Sequence, residues 1–130
     1  MAKTVLVVDD LKDTRDLMRF LLENLGYQVL EAENGWKAVE SVKKQIPDLI
    51  LMDMAMHSTD GLAATKIIRQ IKETSKTPII AFTASGEFIR KQATEAGCDA
   101  LLMKPLDTDK LKSMLDQYLG EWFLVVQEKA

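Results

Sequence analysis

The chain has 130 residues, of which 47% are hydrophobic and 28% charged, with 17 Lys+Arg against 20 Asp+Glu and a net charge of −3. That length suits one domain of roughly 100–200 residues, and the composition excludes a disordered tail, a collagen-like repeat and a disulfide scaffold. The acidic balance lacks the positive excess that direct nucleic-acid binding draws on. The single cysteine, Cys98, excludes an internal disulfide and any zinc site built from several thiolates. The apolar run at the N-terminus is shorter than the roughly 7–15 residues of a signal peptide, and no stretch approaches the roughly 18 of a membrane span. The expected setting is the cytoplasm, with no membrane attachment.

Taken in order, the chain alternates short apolar runs with longer amphipathic stretches, five times over. Residues 5–8 (VLVV) form a continuous run, closed by Asp9 and Asp10. Leu17, Leu21 and Leu25, with Met18 and Leu22, then recur at helical spacing, and Gly26 stops them. Residues 29–30 are a brief apolar pair among polar neighbours, which suggests an edge strand. Gly35, Val39, Val42 and Ile46 make a second stripe, with Asn34 as its cap and Pro47 as its end. Residues 49–52 (LILM) lead into Asp53. Met52, Met54 and Met56 alternate here, as packing residues do on a strand and its exit. Asp60–Gly61 reads as a turn feeding a third helix over 62–71, through Ala64, Ile67 and Ile68. Residues 79–82 (IIAF) precede Thr83, and Ile89, Ala93 and Ala96 follow at helical spacing up to Gly97. Residues 100–103 (ALLM) precede Lys104 and Pro105. Leu111, Met114, Leu115 and Tyr118 complete a fifth helix, capped by Asp107 or Thr108 and stopped by Gly120.

Continuous apolar runs mark parallel strands buried on both faces. The (βα)5 pattern therefore predicts an α/β fold, a doubly wound parallel sheet of flavodoxin-like order 2-1-3-4-5. It divides the chain into a domain over 1–119 and an apolar tail over 120–130. The tail is expected to dock on its own domain or extend the fifth helix. The other reading is a surface for self-association or a partner.

In open sheets of this kind, ligands bind beyond the carboxyl ends of the strands. The residues at those ends are Asp9, Asp10, Asp53, Thr83 and Lys104. Strands one and three are neighbours in the predicted order, so three carboxylates converge. Converging carboxylates repel unless a cation is present. Oxygen ligands with room for water suit Mg²⁺. Lys104 supplies a positive charge for phosphate, and Thr83 a hydroxyl on a loop of small residues, Ala84, Ser85 and Gly86. Together these groups point to phosphoryl transfer onto a carboxylate. The bland reading of Asp9–Asp10 is a loop and helix cap. Cys98 reads as a small core residue, and His57 as a solvated loop residue.

The segments VLVVDD, DLILMDMAMHSTDG, PIIAFTA and GCDALLMKP, in this order at strand ends, resemble the receiver domain of two-component response regulators over about residues 3–119. The resemblance implies that Asp53 is the phosphoacceptor and that Asp10 and Asp53 bind Mg²⁺ directly. It implies that Asp9 holds the ion through water and that the backbone carbonyl of Ala55 is a further ligand. Thr83 and Lys104 match the hydroxyl and the lysine that meet the phosphoryl group, and Pro105 a proline often in a cis linkage. The implied partners are a histidine kinase or histidine phosphotransfer protein and a downstream output protein. A dimer through the tail or the fourth-helix, fifth-strand, fifth-helix face is a further possibility. Three features depart from the family: Leu101 stands where it usually has Tyr or Phe, His57 where it usually has Pro, and the chain continues past the fifth helix. The expected role is a phosphorylation switch or relay and not an enzyme. The alternatives are a Mg²⁺-dependent phosphohydrolase with an aspartyl-phosphate intermediate and a flavin or nucleotide carrier. The acidic first loop, with no Gly- or Ser/Thr-rich phosphate cradle, speaks against the carrier.

Overall fold

A computed structural model describes residues 2–54 and 60–120. Five strands, β1 (Thr4–Val8), β2 (Gln28–Ala32), β3 (Leu49–Asp53), β4 (Ile79–Thr83) and β5 (Ala100–Met103), pair in parallel in the order β2-β1-β3-β4-β5. Five helices alternate with them: α1 (Lys12–Asn24), α2 (Gly35–Lys44), α3 (Asp60–Gln70), α4 (Glu87–Ala96) and α5 (Thr108–Leu119). The predicted fold class and strand order are both present.

Strand alternation divides the core into two layers. Val5, Val7, Leu49, Leu51, Ile80, Phe82 and Leu102 pack with α1 and α5 on one face of the sheet. Leu6, Val8, Ile50, Met52, Ile79 and Ala81 pack with α2, α3 and α4 on the other. The central strands β1, β3 and β4 are buried at every position, as a sheet covered on both faces requires.

Local signals end the helices as read. Gly26 takes φ +92°, and the N–H groups of Gly26 and Tyr27 bond back to the carbonyls of Glu23 and Leu22, closing α1. The Asn34 side chain accepts the Lys37 N–H, and Asp107 accepts those of Asp109 and Lys110.

Three details differ from the sequence reading. The buried stripe of α1 runs through Met18 and Leu22, while Leu17 is 50% exposed. Leucine periodicity alone does not fix which side of a helix meets the sheet. Ile46 lies beyond the end of α2 and is exposed, because the residue before Pro47 is held out of the helical region. Strand β2 has five residues rather than two. Gln28 and Glu31 fit there because an edge strand leaves room for outward polar side chains. The apolar stretch 122–126 lies outside the described residues.

Candidate functional site

The same alternation that sorts the core also aims the residues at its end. Asp9 follows Val5 and Val7, Asp53 follows Leu49 and Leu51, and Lys104 follows Leu102, so all three side chains continue the α1/α5 layer past the last apolar residue. Parallel register sets Asp53 beside Phe82 and Thr83 beside Met103. Lys104 Nζ stands 3.5 Å from Asp9 Oδ2, 3.5 Å from Asp53 Oδ1 and 4.9 Å from the centre of the Phe82 ring. Asp9 and Asp53 are 1% and 2% exposed, so one ammonium, resting on an aromatic face, offsets two buried carboxylates.

Asp10 adds a third carboxylate from the exposed side of the β1–α1 link. One oxygen each from Asp9, Asp10 and Asp53 lies within 4.8 Å of the others. Oxygens at that spacing could share one Mg²⁺, whose oxygen ligands sit at about 2.1 Å and which keeps several waters. The donor set is all oxygen, as a hard cation requires. The residues present therefore fit the ion.

The loop role considered for Asp9 is present. Its Oδ1 accepts the Leu11 N–H at 2.9 Å, an Asx turn leading into α1, while Oδ2 faces Lys104. Thr83 belongs to the opposite layer with Ile79 and Ala81. It is fully buried, and its hydroxyl accepts the Ser85 N–H at 2.9 Å while its carbonyl accepts the Lys104 N–H at 2.8 Å. Thr83 thus ties the β4–α4 loop to the strand that carries Lys104. The Lys104–Pro105 bond is cis. Ala55 and His57 lie outside the described residues.

The sequence reading gave Asp60–Gly61 no role at the site, and here the structure adds one. Asp60 Oδ2 accepts the Gly35 N–H at 2.7 Å, joining the starts of α2 and α3. A Cβ on Gly61 would lie 2.4 Å from the Asp53 carbonyl oxygen, so α3 begins in direct contact with the end of β3. A glycine in the first turn of a helix, where it weakens the helix, was the available signal. Cys98 borders the α2/α3/α4 core, and burial pushes its thiol up to about 11, which leaves it a packing residue and not a nucleophile. No helix among the described residues is long and apolar enough to cross a membrane.

Residues 5–116 match the response regulator receiver domain family. The polar-differentiation response regulator DivK of Brucella anthropi is 32% identical over 124 residues, covering 93% of this chain and 99% of the relative. Among solved structures, the receiver domain of the sensor histidine kinase PA1611 from Pseudomonas aeruginosa, with a magnesium ion coordinated in its active-site cleft, is 32% identical. Its TM-score is 0.85, over 93% of this chain and all of that one. The Vibrio cholerae chemotaxis protein CheY4 has the same TM-score at 26% identity, over 91% of this chain and 99% of that one.

Proposed function

Because the chain belongs to the response regulator receiver domain family, a family of phosphorylation-based signalling modules, we propose that Asp53 is the residue that takes up the phosphoryl group. The observation that carries this reading is the convergence of Asp9, Asp10 and Asp53 around one point, with Lys104 reaching across them.

Asp10 and Asp53 would hold Mg²⁺ directly and Asp9 through water, with the Ala55 carbonyl, as the family resemblance implies, a further ligand. When bound, the ion neutralises the acids and the phosphoryl oxygens. An Asp53 oxygen forms the new O–P bond while the N–P bond of a phosphohistidine donor breaks, and the imidazole nitrogen leaves with the electron pair. Lys104 moves from the carboxylates to a phosphoryl oxygen. Thr83 turns its hydroxyl to donate to another phosphoryl oxygen while still accepting the Ser85 N–H, and so draws the 84–86 loop with it. That motion biases a two-state equilibrium only because the phosphoryl group bonds Thr83 in one state and not in the other. Leu101 already packs against the core layer that holds Thr83, so readout runs through the loop and α4 without a swinging aromatic. Incubating the chain with acetyl phosphate should add one phosphoryl group, and chelating Mg²⁺ should prevent it. Labelling that ignores chelation would remove the ion from the reaction. The comparisons give no support to the phosphohydrolase alternative.

A histidine kinase or phosphotransfer protein is the proposed donor, and an output protein the receiver of the signal. The same reading places the chain in the cytoplasm, in keeping with its lone cysteine. Asp53 is almost fully covered, so a protein donor has to press against the rim. Leu11 follows Asp10 directly, Leu17 and Phe20 lie further along α1, and all three are at least half exposed. Phe20→Ser should slow transfer from a protein donor by about tenfold, as loss of an aromatic anchor does, and leave labelling by acetyl phosphate unchanged. Equal loss with both donors would place Phe20 in the fold and not in the docking face.

A further inference from the structure

The three residues 9–11 that link β1 to α1 carry two of the three acids, and their backbone is held from outside the site. Arg15, one turn into α1, donates from Nη1 to the Asp9 carbonyl at 2.8 Å and from Nε to Glu31 Oε1 at 3.1 Å. Its side chain is only 14% exposed. Glu31, on the edge strand β2, is held in turn by Arg19 Nε at 2.7 Å, and Arg19 Nη2 donates to the Val29 carbonyl at 3.2 Å. The Asp9 N–H bonds the Ala32 carbonyl at 3.1 Å. The peptide group joining Asp9 to Asp10 is therefore anchored through a guanidinium fork whose own direction is set by a carboxylate and a second arginine.

We propose that Arg15, oriented by Glu31, is a positioning residue for the Mg²⁺ site: by fixing the Asp9 carbonyl it sets the aim of the exposed Asp10 carboxylate. This rests on reading the acidic rim as a Mg²⁺ site. Partners one shell out from a metal commonly set affinity by holding a ligand in place. The geometry makes a prediction opposite in sign to simple electrostatics. A guanidinium beside an acidic cluster repels a dication, so if only its charge mattered, its removal would tighten binding. If it orients the loop, its removal loosens binding. A lysine at this place keeps the charge but loses the planar fork that spans a carbonyl and a carboxylate at once.

The test is calorimetric titration of the full chain with Mg²⁺ alone, at constant ionic strength, for wild type, Arg15→Gln and Arg15→Lys, with folding checked by circular dichroism. Both variants are expected to bind about tenfold more weakly than wild type. Unchanged or tighter binding by Arg15→Gln overturns the proposal. Should that variant fail to fold, Arg15→Lys decides alone: its charge is intact, so weaker binding supports positioning and unchanged affinity overturns it. Failure of the reading beneath is distinguishable, because the wild type itself would then take up no Mg²⁺.

Discussion

Asp53→Asn abolishes phosphoryl labelling by acetyl phosphate in Mg²⁺, down to the level seen without donor. The amide matches the carboxylate in shape and fits the same buried place at the end of β3. It offers no anionic oxygen to attack phosphorus, and it leaves Asp9 and Asp10 as the only acids of the cluster, so Mg²⁺ binding weakens as well. Stability should hold or rise, since one of two buried carboxylates sharing a single ammonium has been neutralised. Labelling is read by intact mass and stability by thermal unfolding. A substituted chain that still takes up one phosphoryl group would move the acceptor role to another residue. A chain that loses labelling together with its melting transition would show a folding defect instead.

Gly61→Ala is expected to lower stability by about 1–3 kcal/mol, the usual range for overpacking, and to slow phosphorylation by roughly 10–100-fold. The added methyl would sit 2.4 Å from the Asp53 carbonyl oxygen and 3.4 Å from Met54 Cα, and both are backbone atoms that cannot rotate aside. Either α3 lifts or the end of β3 shifts, and Asp53 is the last residue of that strand. Gly35 is as tightly placed, with the Asp60 carbonyl oxygen 2.7 Å from where its Cβ would lie, so α2 blocks any retreat of α3 in that direction. Denaturant titration gives the stability change, and acetyl phosphate kinetics the rate. A stable variant with wild-type kinetics would mean that α3 slides without moving Asp53.

Much of this site could be read before any coordinates, and the reason is geometric. Parallel strands of nearly equal length end at one rim, so the first polar residue after each apolar run meets the others. Asp9, Asp53 and Lys104 followed from that rule alone. What it left out is which side of the sheet each residue serves. Thr83 stands one position out of step with Phe82, so it belongs to the α2/α3/α4 layer, while Lys104 belongs to the α1/α5 layer. The contacts made by Arg15, Glu31 and Asp60 were also hidden. They depend on distances between elements far apart in sequence, and exposed-looking charged residues on a helix give no sign of a buried carbonyl within reach. The exposed Leu17 shows the same limit, since a helix's rotation about its axis is decided by the surface it meets.

Lys104 lies between Asp9 and Asp53 with the Phe82 ring beneath it, and this bears on how the site behaves at rest. The chain carries a built-in counter-ion, which partly offsets the two buried acids before any dication arrives. Compensation of these two acids is therefore written into the chain itself, through a residue that the sheet carries to them from the end of the edge strand β5.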